Sequence, residues 1–368
     1  MKKLKGFIKS EAVLLISALA ALITMFFVPP SIDYISYIDF RTLALLFCLM
    51  SAVAGLKSIG FFDRLAMSII PRFKNSRTLC LILVLLCFFS SMLITNDVAL
   101  ITFVPFTIII FTASNLTDRL VYTIVLETAA ANLGSMLTPL GNPQNLYLYS
   151  YYRINPGEFF QITFPLCLLG LILLVLFSFI CRKQSIISVK REVPVITHKK
   201  KLVIYVILFL LSLLTVFHVL DYRLTLVVLL IILLFTDKKL IVKADYGLLL
   251  TFVCFFVFVG NLERIPSVHA VLTSFIRERE LLSGILLSQV ISNVPAAVLL
   301  SGFTDKYRLL LLGTNIGGLG TLIASLASLI SFKFYAALKP SRPFYYLAVF
   351  TAVNVLLLLP LLVFAFFL

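Results

Sequence analysis

Two clusters of polar residues interrupt long apolar runs, and they are where this chain could do chemistry. Thr95-Asn96-Asp97 breaks the first run. The second is broken by Asn132, Gly134, Ser135, Thr138, Pro139, Gly141, Asn142, Pro143 and Gln144. Two further breaks follow later, at Ser292-Asn293 ahead of Pro295 and in GTNIGGLGT over 313–321. In hydrocarbon an unpaired backbone amide costs several kcal/mol, so a broken helix persists only where it lines a cavity or packs in protein. A helix that starts at membrane depth presents free N–H groups and a positive dipole end, which suit an anion. A helix that stops there presents carbonyls, which suit Na⁺.

The side chains divide along the same line. Thr95, Asn96, Asp97, Glu127, Asn132, Gly134 and Asn142 form the expected cation or proton half-site, with Na⁺ placed at Asn96, Asp97 and Asn132. Thr138, Pro139, Gly141, Ser292, Asn293, Thr314, Asn315, Gly317, Gly318 and Thr321 form the expected substrate half-site. No Lys or Arg falls in the breaks, so an anion would be held by dipoles, amides and hydroxyls. Asp97 and Glu127 are the acids inside the apolar runs, and such residues are expensive and usually functional. A carboxylate beside an anion repels it until a cation or proton arrives, which would couple the two fluxes. The plainer roles are an N-cap for Asp97 and a buried polar contact for Glu127. No zinc spacing, phosphate loop or nucleophile elbow is present. The chain therefore reads as a non-enzyme with no catalytic residue and no cofactor beyond H⁺ or Na⁺ as coupling ion. His198, His218 and His269 lie near expected helix ends and are assigned only to solvent.

The elements that must position these groups follow from composition. The chain has 368 residues, 61% hydrophobic and 13% charged, with a mean hydropathy of +1.10. That describes an all-α multi-pass membrane protein with the lipid bilayer as its solvent. The net charge of +15 comes from Lys and Arg in short segments between apolar runs. This is the positive-inside pattern, so nucleic acid is not a partner. The six cysteines are scattered and form no CxxC pair, so they read as small apolar residues. Lys2, Lys3, Lys5 and Lys9 place the N-terminus in the cytoplasm, and the basic loop with Arg182, Lys183, Lys190, Arg191 and Lys199 to Lys201 returns there. The same count leaves the C-terminus outside.

The chain repeats itself. Asn132-Leu133-Gly134 aligns with Asn315-Ile316-Gly317 at an offset of 315 − 132 = 183, and Thr138 falls on Thr321. Thr95-Asn96 aligns with Ser292-Asn293 at 293 − 96 = 197. Residues 1–181 form repeat one, with a hairpin over about 79–112 and a broken helix over about 120–146. Residues 182–221 hold the basic loop and an unpaired linking helix. Residues 222–368 form repeat two, with a hairpin over about 281–304 and a broken helix over about 309–332. The odd linking helix turns repeat two over. Inverted repeats with discontinuous helices and re-entrant hairpins are the signature of a secondary transporter. The repeat-two counterparts of Asp97 and Glu127 are Val294 and Leu310, so the acids belong to one half only.

At LITNDVALITFVPF (93–106), ETAAANLGSMLTPLGNPQN (127–145), QVISNVP (289–295) and GTNIGGLGT (313–321) the chain resembles the ion transporter superfamily. It is similar to the branch of arsenite permeases, citrate-type permeases and small YbiR-like anion permeases, and more distantly to the divalent anion:sodium symporters. The resemblance implies paired hairpins, a transport domain moving against a scaffold, and a homodimer. In dicarboxylate members both tips read Ser-Asn-Thr, whereas here they read Thr95-Asn96-Asp97 and Ser292-Asn293-Val294. The expected function is symport of a small anion across the cell inner membrane, coupled to H⁺ or Na⁺. The alternatives are a Na⁺/H⁺ antiporter of the same superfamily and an arsenite or antimonite efflux permease.

Overall fold

The computed structural model describes residues 12–69, 75–185 and 198–368. The N-terminal lysines, and Arg72, Lys74, Lys190 and Arg191 of the expected inner loops, lie outside the described residues. Among the described residues all regular structure is helical, apart from one isolated bridge between Asn75 and Ser185. Among the described residues six helices are long and apolar enough to cross a membrane.

The first half holds α1 (Ala12–Met25), α2 (Tyr34–Tyr37), α3 (Phe40–Ser58), α4 (Phe61–Ile69), α5 (Ser76–Ile94), α6 (Asn96–Ala113), α7 (Thr117–Ser135), α8 (Pro143–Tyr151) and α9 (Pro156–Ile180). After α10 (Lys199–Val216), the second set is α11 (Tyr222–Thr236), α12 (Lys238–Val242), α13 (Tyr246–Glu263), α14 (Pro266–Ile276), α15 (Glu280–Ile291), α16 (Asn293–Ser301), α17 (Tyr307–Ile316), α18 (Leu326–Ala336) and α19 (Pro343–Ala365). Phe164, Leu168, Ile172, Leu176 and Phe179 are exposed along one face of α9, and Val203, Ile207, Leu210 and Leu214 along one face of α10. An apolar stripe at helical spacing on the outside of the molecule is a lipid-facing surface.

The helices sort into two groups. α1 packs on α13, and α3 packs on α10 and α11. Close approach here depends on small residues: a Cβ on Gly55 would sit 2.7 Å from the Tyr205 ring, and one on Gly260 2.5 Å from the Tyr37 ring. The second group is α5 to α9 with α15 to α19. α9 is about 37 Å long at 1.5 Å per residue, and the two hairpins meet its opposite ends. At its C-terminal end Ser76 N–H donates to Gln184 O (2.8 Å) and Arg77 Nε to Cys181 O (2.8 Å), which ties down the start of α5. At its N-terminal end Tyr307 Oη donates to Glu158 (2.7 Å), and Tyr152 Oη to Thr304 O (2.6 Å), just beyond α16. The two hairpins are thus tied to opposite ends of α9.

Several boundaries differ from the sequence reading. The arms of hairpin one have 19 and 18 residues, about 28 and 27 Å, so each is as long as a full span. Those of hairpin two have only 12 and 9 residues, about 18 and 14 Å. Asn132, Gly134, Thr314 and Asn315 lie in the last helical turns of α7 and α17, and the breaks begin after them. Polar residues and a glycine next to a break need not interrupt the helix, because their side chains can serve the break from the final turn.

Candidate functional site

Both hairpins turn on a non-glycine residue with the same rare backbone. Thr95 has φ 75° and ψ 148°, and Ser292, 197 residues later, has φ 77° and ψ 154°. A side chain there costs of order 1–3 kcal/mol and persists only where surroundings enforce it. The surroundings are equivalent as well. Asn96 N–H donates to Gly141 O (2.9 Å) and Asn293 N–H to Ala324 O (3.0 Å), each acceptor preceding the cap of the next helix. Thr138 Oγ1 pins its break to Met92 O (2.5 Å), and Thr321 Oγ1 pins the other to Gln289 O (3.1 Å). Gly141 must be glycine for this tip, since its Cβ would lie 2.1 Å from Ser135 O.

The two halves then bond across each other. Asn142 Nδ2 donates to Asn315 Oδ1 (3.4 Å), and Ser325 Oγ donates to Asn132 Oδ1 (3.0 Å). Ser325 stands 183 after Asn142, and Asn315 stands 183 after Asn132, so these are the same contact made twice. Reciprocal pairing of this kind is what a two-fold relation produces. Asn96 Nδ2 also donates to Asn132 Oδ1 (3.1 Å), Asn132 Nδ2 reaches Gly318 O (3.3 Å), and Asn315 Nδ2 reaches Asn145 Oδ1 (2.7 Å). Asn132 and Asn315 are each only 4% exposed.

Four helices begin at this cluster, α6, α8, α16 and α18, and four end there, α5, α7, α15 and α17. Each terminus carries roughly half a charge. The cluster thus offers positive N-terminal ends and free carbonyl ends side by side, which can hold an anion and a cation together. Asp97 is in the first turn of α6. Its carboxylate makes no hydrogen bond or ion pair among the described residues, while its N–H is held by Asn96 Oδ1 (2.9 Å).

Not every expected residue faces the cluster. Thr314 Oγ1 turns back on its own helix to Leu310 O (2.9 Å). Thr138 and Thr321 use their hydroxyls to anchor the breaks. Pro139 lies in the break, and Gly134 and Gly317 serve close helix contacts. Glu127 sits apart, 0% exposed, with Oε1 accepting from Thr107 Oγ1 (2.6 Å). Three further contributors escape the sequence reading. Ser325 is reached by extending the offset of 183 from Asn142. Asn145 donates to three carbonyls of the first break, those of Ser135, Met136 and Thr138. Gln289 Nε2 holds Gly317 O and Leu319 O, both at 2.9 Å, and its signal is a lone amide one turn before Ser292.

Two clefts lie beside the helices that begin at the cluster. One of 330 Å³ lies beside α8 and α16, walled by Tyr37, Asp39, Tyr147 and Glu263. The other, of 620 Å³, lies beside α6 and α18, walled by Thr112, Leu120, Tyr335, Lys339 and Arg342. α8 corresponds to α18 and α16 to α6, so each cleft borders one helix of each corresponding pair. His218, expected to meet only solvent, stacks on Tyr149 (5.0 Å) and bonds Arg41, and burial with Arg41 and Arg153 nearby pushes its pKa down.

Comparison with known proteins agrees with this architecture. The citrate transporter family matches residues 3–306. An uncharacterized transporter of Methanocaldococcus jannaschii is 36% identical over 297 residues, covering 80% of this chain and 81% of the relative. The inner membrane protein YbiR of Escherichia coli is 32% identical over 300 residues, 80% of each chain. The silicon efflux transporter LSI3 of rice, Oryza sativa, is 31% identical over 152 residues, 41% of this chain and 31% of the relative. With an all-helical body, membrane-length helices and this match over most of its length, the chain is a multi-pass membrane transporter, not an enzyme, and belongs to the citrate transporter family.

Proposed function

We propose that this transporter moves a small anion, coupled to a cation bound beside it at the hairpin tips. The observation that supports this reading is the meeting of four helix N-termini and four C-termini at one buried cluster. No Lys or Arg lies in that cluster, and Asp97 stands in the first turn of α6 at its edge. The N-terminal ends of α6, α8, α16 and α18, with the Asn293 amide, face the anion. The carbonyl ends, Asn96, Asn132 and Asp97 face Na⁺ or H⁺. Until a cation neutralises Asp97, the carboxylate repels the anion, so neither binds well alone. The two clefts are the two halves of alternating access, with the hairpins re-entrant from opposite faces. The C-terminus lies outside and the α6–α18 cleft faces the cytoplasm.

Thermal stabilisation of the purified protein tests this. A ligand at 100 times its Kd adds about 2.7 kcal/mol to folding stability. Citrate, dicarboxylates, arsenite, sulfate and phosphate are screened with and without Na⁺ and at two pH values. One anion is expected to stabilise only with Na⁺ or at the lower pH, and Asp97→Asn is expected to erase that dependence. Stabilisation by Na⁺ alone, indifferent to every anion, would instead identify a Na⁺/H⁺ exchanger.

A further inference from the structure

Glu127 is fully enclosed, yet only half of its carboxyl is satisfied. Oε1 accepts from Thr107 Oγ1 (2.6 Å), and Oε2 has no hydrogen-bond partner. Two more orphaned atoms belong to the same neighbourhood. The Tyr346 hydroxyl of α19 approaches Thr128, the chain neighbour of Glu127, outside ordinary hydrogen-bond geometry. The Ser328 hydroxyl of α18 is 0% exposed and unpartnered, one turn from Ser331, which receives a bond from Thr128 Oγ1 (2.7 Å). Buried polar atoms without partners are rare, and a group of them marks a bound water, ion or proton.

The repeat accounts for the unpartnered serine. Ser328 stands 328 − 145 = 183 after Asn145. In the first half Asn145 fills its position and holds three carbonyls of the break. In the second half the shorter Ser328 makes no such bonds. Thr128 is one turn from Asn132 on the same face of α7, about 6 Å between Cβ atoms. Polar contacts therefore run from the tip cluster at Asn132 down to Thr128, the chain neighbour of Glu127. Beyond it, Tyr346 stacks on Tyr335 (5.1 Å), and Tyr335 walls the 620 Å³ cleft.

The surroundings favour a proton over Na⁺. α7 is an unbroken helix at Glu127, so its carbonyls are engaged, whereas a Na⁺ site draws on free carbonyls. The other groups near Glu127 are neutral: Cys80 and Cys87 of α5, Thr107 of α6 and Tyr346 of α19. Asp118 and Arg119 pair at the start of α7 (3.3 Å), and Glu158 of α9 pairs with Arg308 of α17 (3.6 Å) at the far end. Asp97 stands at the tip of α6. An uncompensated carboxylate in such a place costs several kcal/mol.

We propose that Glu127 is a proton site, loaded from the α6–α18 cleft past the Tyr335–Tyr346 pair. Protonated Oε2–H turns toward the Tyr346 hydroxyl. The inference rests on the transporter reading for its purpose, but its test needs no substrate.

Infrared absorption of the purified, lipid-reconstituted protein reads the site directly. At neutral pH a carbonyl stretch of a protonated carboxylic acid is expected, shifting as the proton exchanges in D₂O. Glu127→Gln removes the band and Asp97→Asn keeps it. Tyr346→Phe is expected to slow the exchange at least tenfold. Should Glu127→Gln fail to fold, Thr107→Val serves, because loss of its hydroxyl shifts the band. A band absent from the native protein, retained in Glu127→Gln, lost in Asp97→Asn or abolished by Na⁺ at fixed pH overturns the site. Unchanged exchange in Tyr346→Phe overturns the route. A negative result leaves the anion proposal standing, and a failed anion screen leaves this test intact.

Discussion

Gly134→Ala is expected to leave little folded protein. The added Cβ would lie 2.0 Å from the Phe88 carbonyl oxygen and 2.7 Å from its carbon. Non-bonded carbons rest 3.5–4.0 Å apart, so α5 would have to retreat from α7 by more than an ångström. It has no freedom to do so. Ser76 and Arg77 fasten its start to the end of α9, and the Thr95 tip fastens its end to Gly141. Overpacking of this kind costs about 3 kcal/mol or more, against a total stability of roughly 5–15 kcal/mol. Gly157→Ala is the control. Its Cβ would meet only the Asn155 side chain, at 3.3 Å, and its effect should stay within about 0.5 kcal/mol. Melting temperature and the yield of monodisperse protein are the readouts. A Gly134→Ala protein that melts with the native one would mean that α5 and α7 do not approach this closely.

The importance of that glycine is legible in the sequence, and the reason is physical. Gly, Pro, Asn and Ser inside apolar runs are costly in hydrocarbon, so Gly134, Gly141, Asn96 and Asn293 stand out, and their spacing exposes the repeat. The all-α membrane architecture follows from the same costs. The ends of the breaks are not legible, because Asn132 and Thr314 are compatible with a final helical turn and only backbone geometry shows that the helix continues past them. Nor is the length of hairpin one, since an apolar run of its composition supports a half span or a full one. Residues such as Gln289, Ser325, Ser328 and Tyr346 are single polar groups on helices, and nothing in one helix states which neighbour it faces. The convergence of four helix starts on four helix ends is a property of the packed molecule. It arises only when α8 and α18 are placed against hairpins from opposite ends.

Asn132→Leu is expected to lower anion-dependent stabilisation by ~10²-fold or more in apparent affinity, and to lower stability as well. Asn132 is the one side chain that joins hairpin one, the first broken helix and the second break. Its Oδ1 accepts from both Asn96 Nδ2 (3.1 Å) and Ser325 Oγ (3.0 Å), and its Nδ2 donates to Gly318 O (3.3 Å). Leucine fills a similar volume but leaves two donors and a carbonyl unpaired in a buried place. Each such orphan costs about 1–3 kcal/mol, and a hundredfold loss in affinity corresponds to only about 2.7 kcal/mol. Asn354→Leu separates this from the general cost of burying leucine. Asn354 is also 0% exposed, but it bonds only Phe350 O within its own helix (2.9 Å) and its Oδ1 is unpartnered. Replacing it removes an orphan, so stability should hold or rise. The reciprocal contact adds an internal check. If Ser325 acts through Asn132, then Ser325→Ala costs little further once Asn132→Leu is in place, a coupling of roughly 0.5–3 kcal/mol. Strict additivity of the two substitutions would mean that the hydroxyl and the amide do not meet, and the cross-repeat pairing that joins the two hairpin tips would fall with it.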